Sequence, residues 1–219
     1  MNDFLEIAMA APVATFIFII TIVTSLVAFW NDNLYAGFIL HPYSVSRSRR
    51  IYTLITSGLI HNDWMHLLFN MLSYYYFAFA LEAGFGNIAG IGHWQFGMLY
   101  IFSLIFSDLP TVYKHKNDEW YHSLGASGAV SAVIFSAILY IPLQPMGRIG
   151  LPIRIPAVIF GGLYLVYCNY ASKRGRDNIN HDAHFFGALS GMLITIFLHP
   201  HIVSSFFSQI IQGVQSLMH

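Results

Sequence analysis

Three short stretches carry side chains that together suit acyl transfer. Residues 121–132 read YHSLGASGAVSA, so Ser127 stands between Gly125 and Gly128 where a long apolar run begins. Residues 181–191, HDAHFFGALSG, put His184 at the start of another, and residues 61–70, HNDWMHLLFN, set His66 and Asn70 four apart. A serine hydroxyl is a poor nucleophile until a base accepts its proton, and histidine does this near neutral pH. The tetrahedral intermediate then needs donors aimed at its oxyanion. His66 and Asn70 share a helix face and both donate, and the Ser127 N–H at a helix start is a third donor. Asp182 points to a different side of its helix from His184, so the pattern reads as a Ser–His dyad rather than a triad. Each stretch alone has a plainer meaning: Ser127 as a cap or small packing residue, His61 as a loop support.

The elements that hold these residues follow from composition. The 219 residues are 56% hydrophobic and only 9% charged, against about 25% charged in a soluble domain. Mean hydropathy is +0.59. The chain reads as an all-α integral membrane protein with spans near 11–30, 64–82, 94–110, 127–143, 155–172 and 183–199, each close to the ~20 residues that cross a bilayer core. Breaks fall at 31–33, 41–42, 46–50, 108–110, 148–156 and 172–182. Span one has neither a basic leader nor a clear cleavage site, and so reads as a retained span. Residues 1–200 form the six-helix membrane domain. Residues 201–219 form a C-terminal amphipathic helix or tail, whose stripe of Ile202, Val203, Phe206, Phe207, Ile210, Ile211, Val214 and Leu217 suits a membrane interface.

Ten acidic and ten basic residues balance, which removes the basic field a nucleic-acid partner needs. The single cysteine, Cys168, lies in an apolar run and excludes a disulfide framework. A haem or metal protein using His61, His66, His181 and His184 is a competing reading, but no cysteine or intramembrane carboxylate completes a ligand set by spacing. The expectation is no cofactor and no metal.

Polar residues inside spans are costly and so mark function or pairing. The three chemical stretches all begin even-numbered spans. Alternating direction puts those starts on one side of the membrane. Gly128, Ala132 and Ser136 recur every four residues in span four, and Gly187, Gly191 and Thr195 do so in span six. Facing stripes of small residues let transmembrane backbones come close, which would bring Ser127 to His184.

In these residues the sequence resembles the rhomboid family of intramembrane serine proteases. The likeness is carried by His61-x4-His66-x3-Asn70, Gly125-x-Ser127-Gly128 and Ala183-His184-x2-Gly187-x3-Gly191, with Glu82 where such proteins often end span two. The resemblance covers about residues 50–200 and implies a six-transmembrane-helix rhomboid-like bundle of the basic bacterial form. It implies Ser127 as nucleophile, His184 as base, and His66, Asn70 and the Ser127 amide as oxyanion hole. Gly125, Gly128, Gly187 and Gly191 become packing supports. The implied partners are the lipid bilayer and single-span membrane proteins cut in or near their transmembrane segment. An inactive relative that only binds membrane clients is the alternative, although such relatives usually lose the serine or histidine.

Two positions depart from the family pattern. Ser131 stands where some members carry a tyrosine beneath the histidine, leaving Tyr164, Tyr167 or another aromatic to orient it, and residues 31–47 lack a Trp-Arg pair. Eight of ten basic residues (Arg47, Arg49, Arg50, Lys114, Lys116, Lys173, Arg174 and Arg176) lie on the active-site side, with Arg148 and Arg154 opposite. That bias alone would place the active site in the cytoplasm. The family pattern places it toward the outer face of a bacterial inner membrane, and the expectation follows the family.

Overall fold

The computed structural model describes residues 2–89, 92–146, 155–174 and 179–216. The chain is mostly helical. Helices α1 (Asn2–Ala10) and α2 (Pro12–Ala28) run to the first loop, where α3 (Asp32–Phe38), α4 (Pro42–Val45), α5 (Thr53–Thr56) and a 3-10 turn (Ser57–Leu59) follow. The long helices come next: α6 (Trp64–Ala89), α7 (Gly92–Lys114), α8 (Ser127–Tyr140), α9 (Ala157–Ser172), α10 (His181–Leu198) and α11 (Ile202–Ser216). Pro145–Met146 pairs antiparallel with Ile155–Pro156, a two-residue ladder between α8 and α9 that the all-α expectation did not include.

Among the described residues, α7 and α10 are long and apolar enough to cross a membrane; α2, α8 and α9 are apolar but shorter. The expected break at 108–110 is not a helix end. Helix α7 continues through Pro110 to Lys114, a placement tolerated where neighbouring helices shield the backbone. Leu217 of the C-terminal stripe, and Arg148, Arg154 and Arg176 of the charge asymmetry, lie outside the described residues.

Helix α8 is the axis of the bundle. Eleven of its residues, from Gly128 to Leu139, are buried. Beside it Tyr74 of α6 meets Tyr100 and Phe96 of α7 edge-on, at centroid distances of 5.6 and 6.4 Å. Such aromatic pairs add about 0.5–1.5 kcal/mol beyond area burial.

Glu82 lies inside α6 rather than at its end, and it is fully buried. Its carboxylate accepts the Val13 and Ala14 N–H groups at 3.0 and 2.6 Å and meets His93 Nδ1 at 2.7 Å. Those amides belong to the first turn of α2, whose N–H groups have no partner within the helix. A carboxylate from across the bundle caps them and complements the helix dipole. Both carboxylate oxygens are thereby hydrogen-bonded.

Candidate active site

The contact between α8 and α10 sets the geometry. A methyl on Gly187 would fall on the Gly128 carbonyl, and one on Gly191 on the Ala132 carbonyl. Lower down, Thr195 Oγ1 and Ser136 Oγ hydrogen bond at 2.6 Å. The two small-residue stripes therefore pack on each other over their full length. At the upper end a methyl on Gly128 would stand 3.4 Å from the Ala183 carbonyl oxygen. Ser127 precedes Gly128 and His184 follows Ala183, so the close approach brings together the segments that carry them.

His184 is positioned by its own helix and by α9. Asn180 caps α10, its Oδ1 accepting the Ala183 N–H at 3.0 Å. The Asn180 amide nitrogen donates to Thr111 of α7 and to Ser123 of the pre-α8 loop, both at 3.0 Å. One side chain thus ties the histidine helix to the loop that delivers the serine. The Tyr164 ring stacks on His184, with centroids 6.4 Å apart and planes at 17°. Tyr164 Oη lies 3.4 Å from Ser131 Oγ. Tyr167 instead meets His181 edge-on at 5.4 Å. Of the two tyrosines named from sequence, Tyr164 is the one against His184.

The pre-α8 loop is strapped to the first loop. Leu40 and Ser123 exchange backbone bonds of 2.9 and 3.1 Å, and the Gly125 N–H donates to the Ser57 carbonyl at 2.9 Å. Gly125 has φ +112°, where other residues are strained, and His66 packs against it so closely that a methyl would collide with the ring. Arg50 holds the first loop from within, donating to the carbonyls that end α3. This loop has its own anchors in place of the Trp-Arg pair.

His66 and Asn70 lie on one face of α6, with Asn70 Nδ2 donating to the His66 carbonyl at 3.1 Å. Asp63 accepts the His66 N–H at 2.8 Å and so starts α6 beside the site; that bond holds its carboxyl below the ordinary range. His61, fully buried, sits edge-on to His66 at 4.9 Å. Its Nε2 accepts the Ala126 N–H at 3.5 Å, while Nδ1 lies 2.9 Å from Ser25 Oγ, itself 3.0 Å from the Leu59 carbonyl. This chain puts the proton on Nδ1 and keeps the ring neutral. Burial, with His66 alongside, pushes His61 down to about 3.

Two features beside the site were not foreseen. Asn180 carried a signal, a capping residue just before an apolar helix. Cys168 corrects the expectation that no cysteine could complete a ligand set: its Sγ and one ring nitrogen each of His181 and His184 lie within 4.8 Å of one another.

Comparison with known proteins assigns the family. A family model described as the rhomboid domain matches residues 48–201. The chain belongs to the rhomboid family. RHOMBOID-like protein 12, mitochondrial, of Arabidopsis thaliana is 29% identical over 166 residues, 69% of this chain and 48% of that protein. A Bacillus subtilis protein named "Putative rhomboid protease YdcA" is 32% identical over 142 residues, 65% of this chain and 64% of that protein. The chain thus spans about half of the first relative's length and under two thirds of the second's. The matched rhomboid segment takes in every residue of the Ser127, His184, His66 and Asn70 constellation.

Proposed function

We propose that this rhomboid is an intramembrane serine endopeptidase that cuts single-span membrane proteins in or near their transmembrane segment. The observation that carries the reading is the seating of Gly187 and Gly191 on the Gly128 and Ala132 carbonyls, beside Ser127 and His184. His184 takes the Ser127 hydroxyl proton as the oxygen attacks the scissile carbonyl. His66, Asn70 and the Ser127 N–H hold the oxyanion. The proton then passes to the leaving amine, and water hydrolyses the acyl-enzyme with His184 again as base.

In this reading α2, α6, α7, α8, α9 and α10 are six spans, with α11 lying at the interface. Fourteen residues of α8 rise about 21 Å, against ~30 Å of hydrocarbon. A centred α8 therefore begins below the membrane surface, and the serine is recessed to the depth of a substrate's transmembrane end. The active site faces outward from a bacterial inner membrane. A fluorophosphonate probe tests the reading: it should label Ser127 in the folded protein, and His184→Ala should suppress the labelling. Labelling at full rate in His184→Ala would remove the base from the scheme.

A further inference from the structure

We propose that Cys168, His181 and His184 bind a divalent cation of the zinc class, and that its binding shuts off the serine chemistry. The inhibitory part rests on His184 being the base. The three donor atoms lie within 4.8 Å of one another, across the packed faces of α9 and α10. Zinc bonds of about 2.0–2.1 Å to nitrogen and ~2.3 Å to sulfur put tetrahedral ligands roughly 3.3–3.7 Å apart, so side-chain rotation of about an ångström closes the set. His181 and His184 are three apart, a spacing that shares a helix face, and their rings are 6.0 Å apart.

The donor set selects the metal. A thiolate with two imidazoles suits zinc, cobalt or copper and does not suit calcium or magnesium, which take oxygen ligands. Three protein ligands leave a fourth position for water. On binding, the Cys168 thiol releases its proton to solvent, a Sγ–metal bond forms, and nothing is oxidised or reduced. Cys168 and His181 are buried, whereas His184 is only half-buried and gives an ion access from the active-site side. A His184 lone pair committed to the metal is not available for the Ser127 proton. Catalysis stops without any change in fold.

The plainer role for Cys168 is packing beside Tyr164. Cobalt titration of the full chain in detergent separates the two. Wild type and Ser127→Ala should both develop a thiolate-to-cobalt charge-transfer band, which zinc displaces and Cys168→Ser lacks. His181→Gln should weaken binding, as a second variant if the serine one misfolds. Zinc should inhibit wild-type proteolysis reversibly with chelator. Cys168→Ser should keep basal activity and need at least ~10–100-fold more zinc, the cost of losing even an outer-shell partner. Absence of the thiolate band in wild type would overturn the site, and equal zinc inhibition of wild type and Cys168→Ser would overturn its role. The spectrum does not depend on proteolysis, so a failure of the dyad, read as cleavage by Ser127→Ala without metal, is a separate result.

Discussion

The Tyr164 ring lies parallel to the His184 ring, 6.4 Å between centroids and 17° between planes, while its hydroxyl sits 3.4 Å from Ser131 Oγ. The ring against His184 comes from the neighbouring helix α9 and not from the residue four after Ser127. Ser131 of α8 meets the hydroxyl end of that tyrosine. The His184 ring thus lies in a stack whose two halves come from α9 and α10.

Tyr164→Phe should keep most activity, because the stack survives and only the hydroxyl contact is lost. Tyr164→Ala should lower kcat by on the order of 10²-fold, the cost of about 1 Å of misplacement, with KM little changed. Steady-state kinetics on both variants decides. Equal effects would mean the hydroxyl matters rather than the ring.

Gly187→Ala and Gly191→Ala should each damage turnover and lower thermal stability in detergent, because the added methyl meets backbone that cannot rotate away. Overpacking of this kind costs about 1–3 kcal/mol. Gly162→Ala is the control, since a methyl there meets nothing within 4 Å. Melting curves for the three variants should separate the first two from the third; three matching curves would contradict the close α8–α10 seat.

These stripes show what was legible. Gly128, Ala132, Ser136 and Gly187, Gly191, Thr195 repeat every four residues, and in an apolar helix that period has one physical meaning. The first loop was not legible: α3, α4 and α5 are short, and Arg50 holds the end of α3 through carbonyls that no sequence spacing announces. Pro110 signalled a break that the packed bundle overrides. The nearness of Cys168 to His181 and His184 depends on how α9 is rotated against α10, which periodicity in one helix does not fix. Tyr164 and Tyr167 share a face of α9, so sequence alone did not say which histidine each would meet.

His66→Ala and Asn70→Ala should lower kcat more than they raise KM. A lost oxyanion donor typically costs ~10²–10³ in rate. Kinetics on a single-span substrate checks this. An effect confined to KM would make these residues substrate contacts.

Acid should destabilise the fold through His61. Its folded value is about 3 against an ordinary 6.5, so below the ordinary value the unfolded chain binds a proton that the folded one refuses. The stability held above about pH 6.5 is therefore lost progressively as pH falls toward 3. His61→Gln should lower the melting temperature near neutrality yet flatten its decline on acidification. An unchanged slope would assign the acid sensitivity elsewhere.

In the proposed mechanism Ser127 and His184 act as one catalytic unit. The direct measurement is cleavage of a single-span substrate by purified protein in lipid vesicles, comparing wild type, Ser127→Ala, His184→Ala and the double variant. Each single variant should abolish cleavage while remaining folded by melting curve, and the double should lose little more, because members of one unit are not additive. Substantial cleavage by folded Ser127→Ala would mean that Ser127 is not the nucleophile.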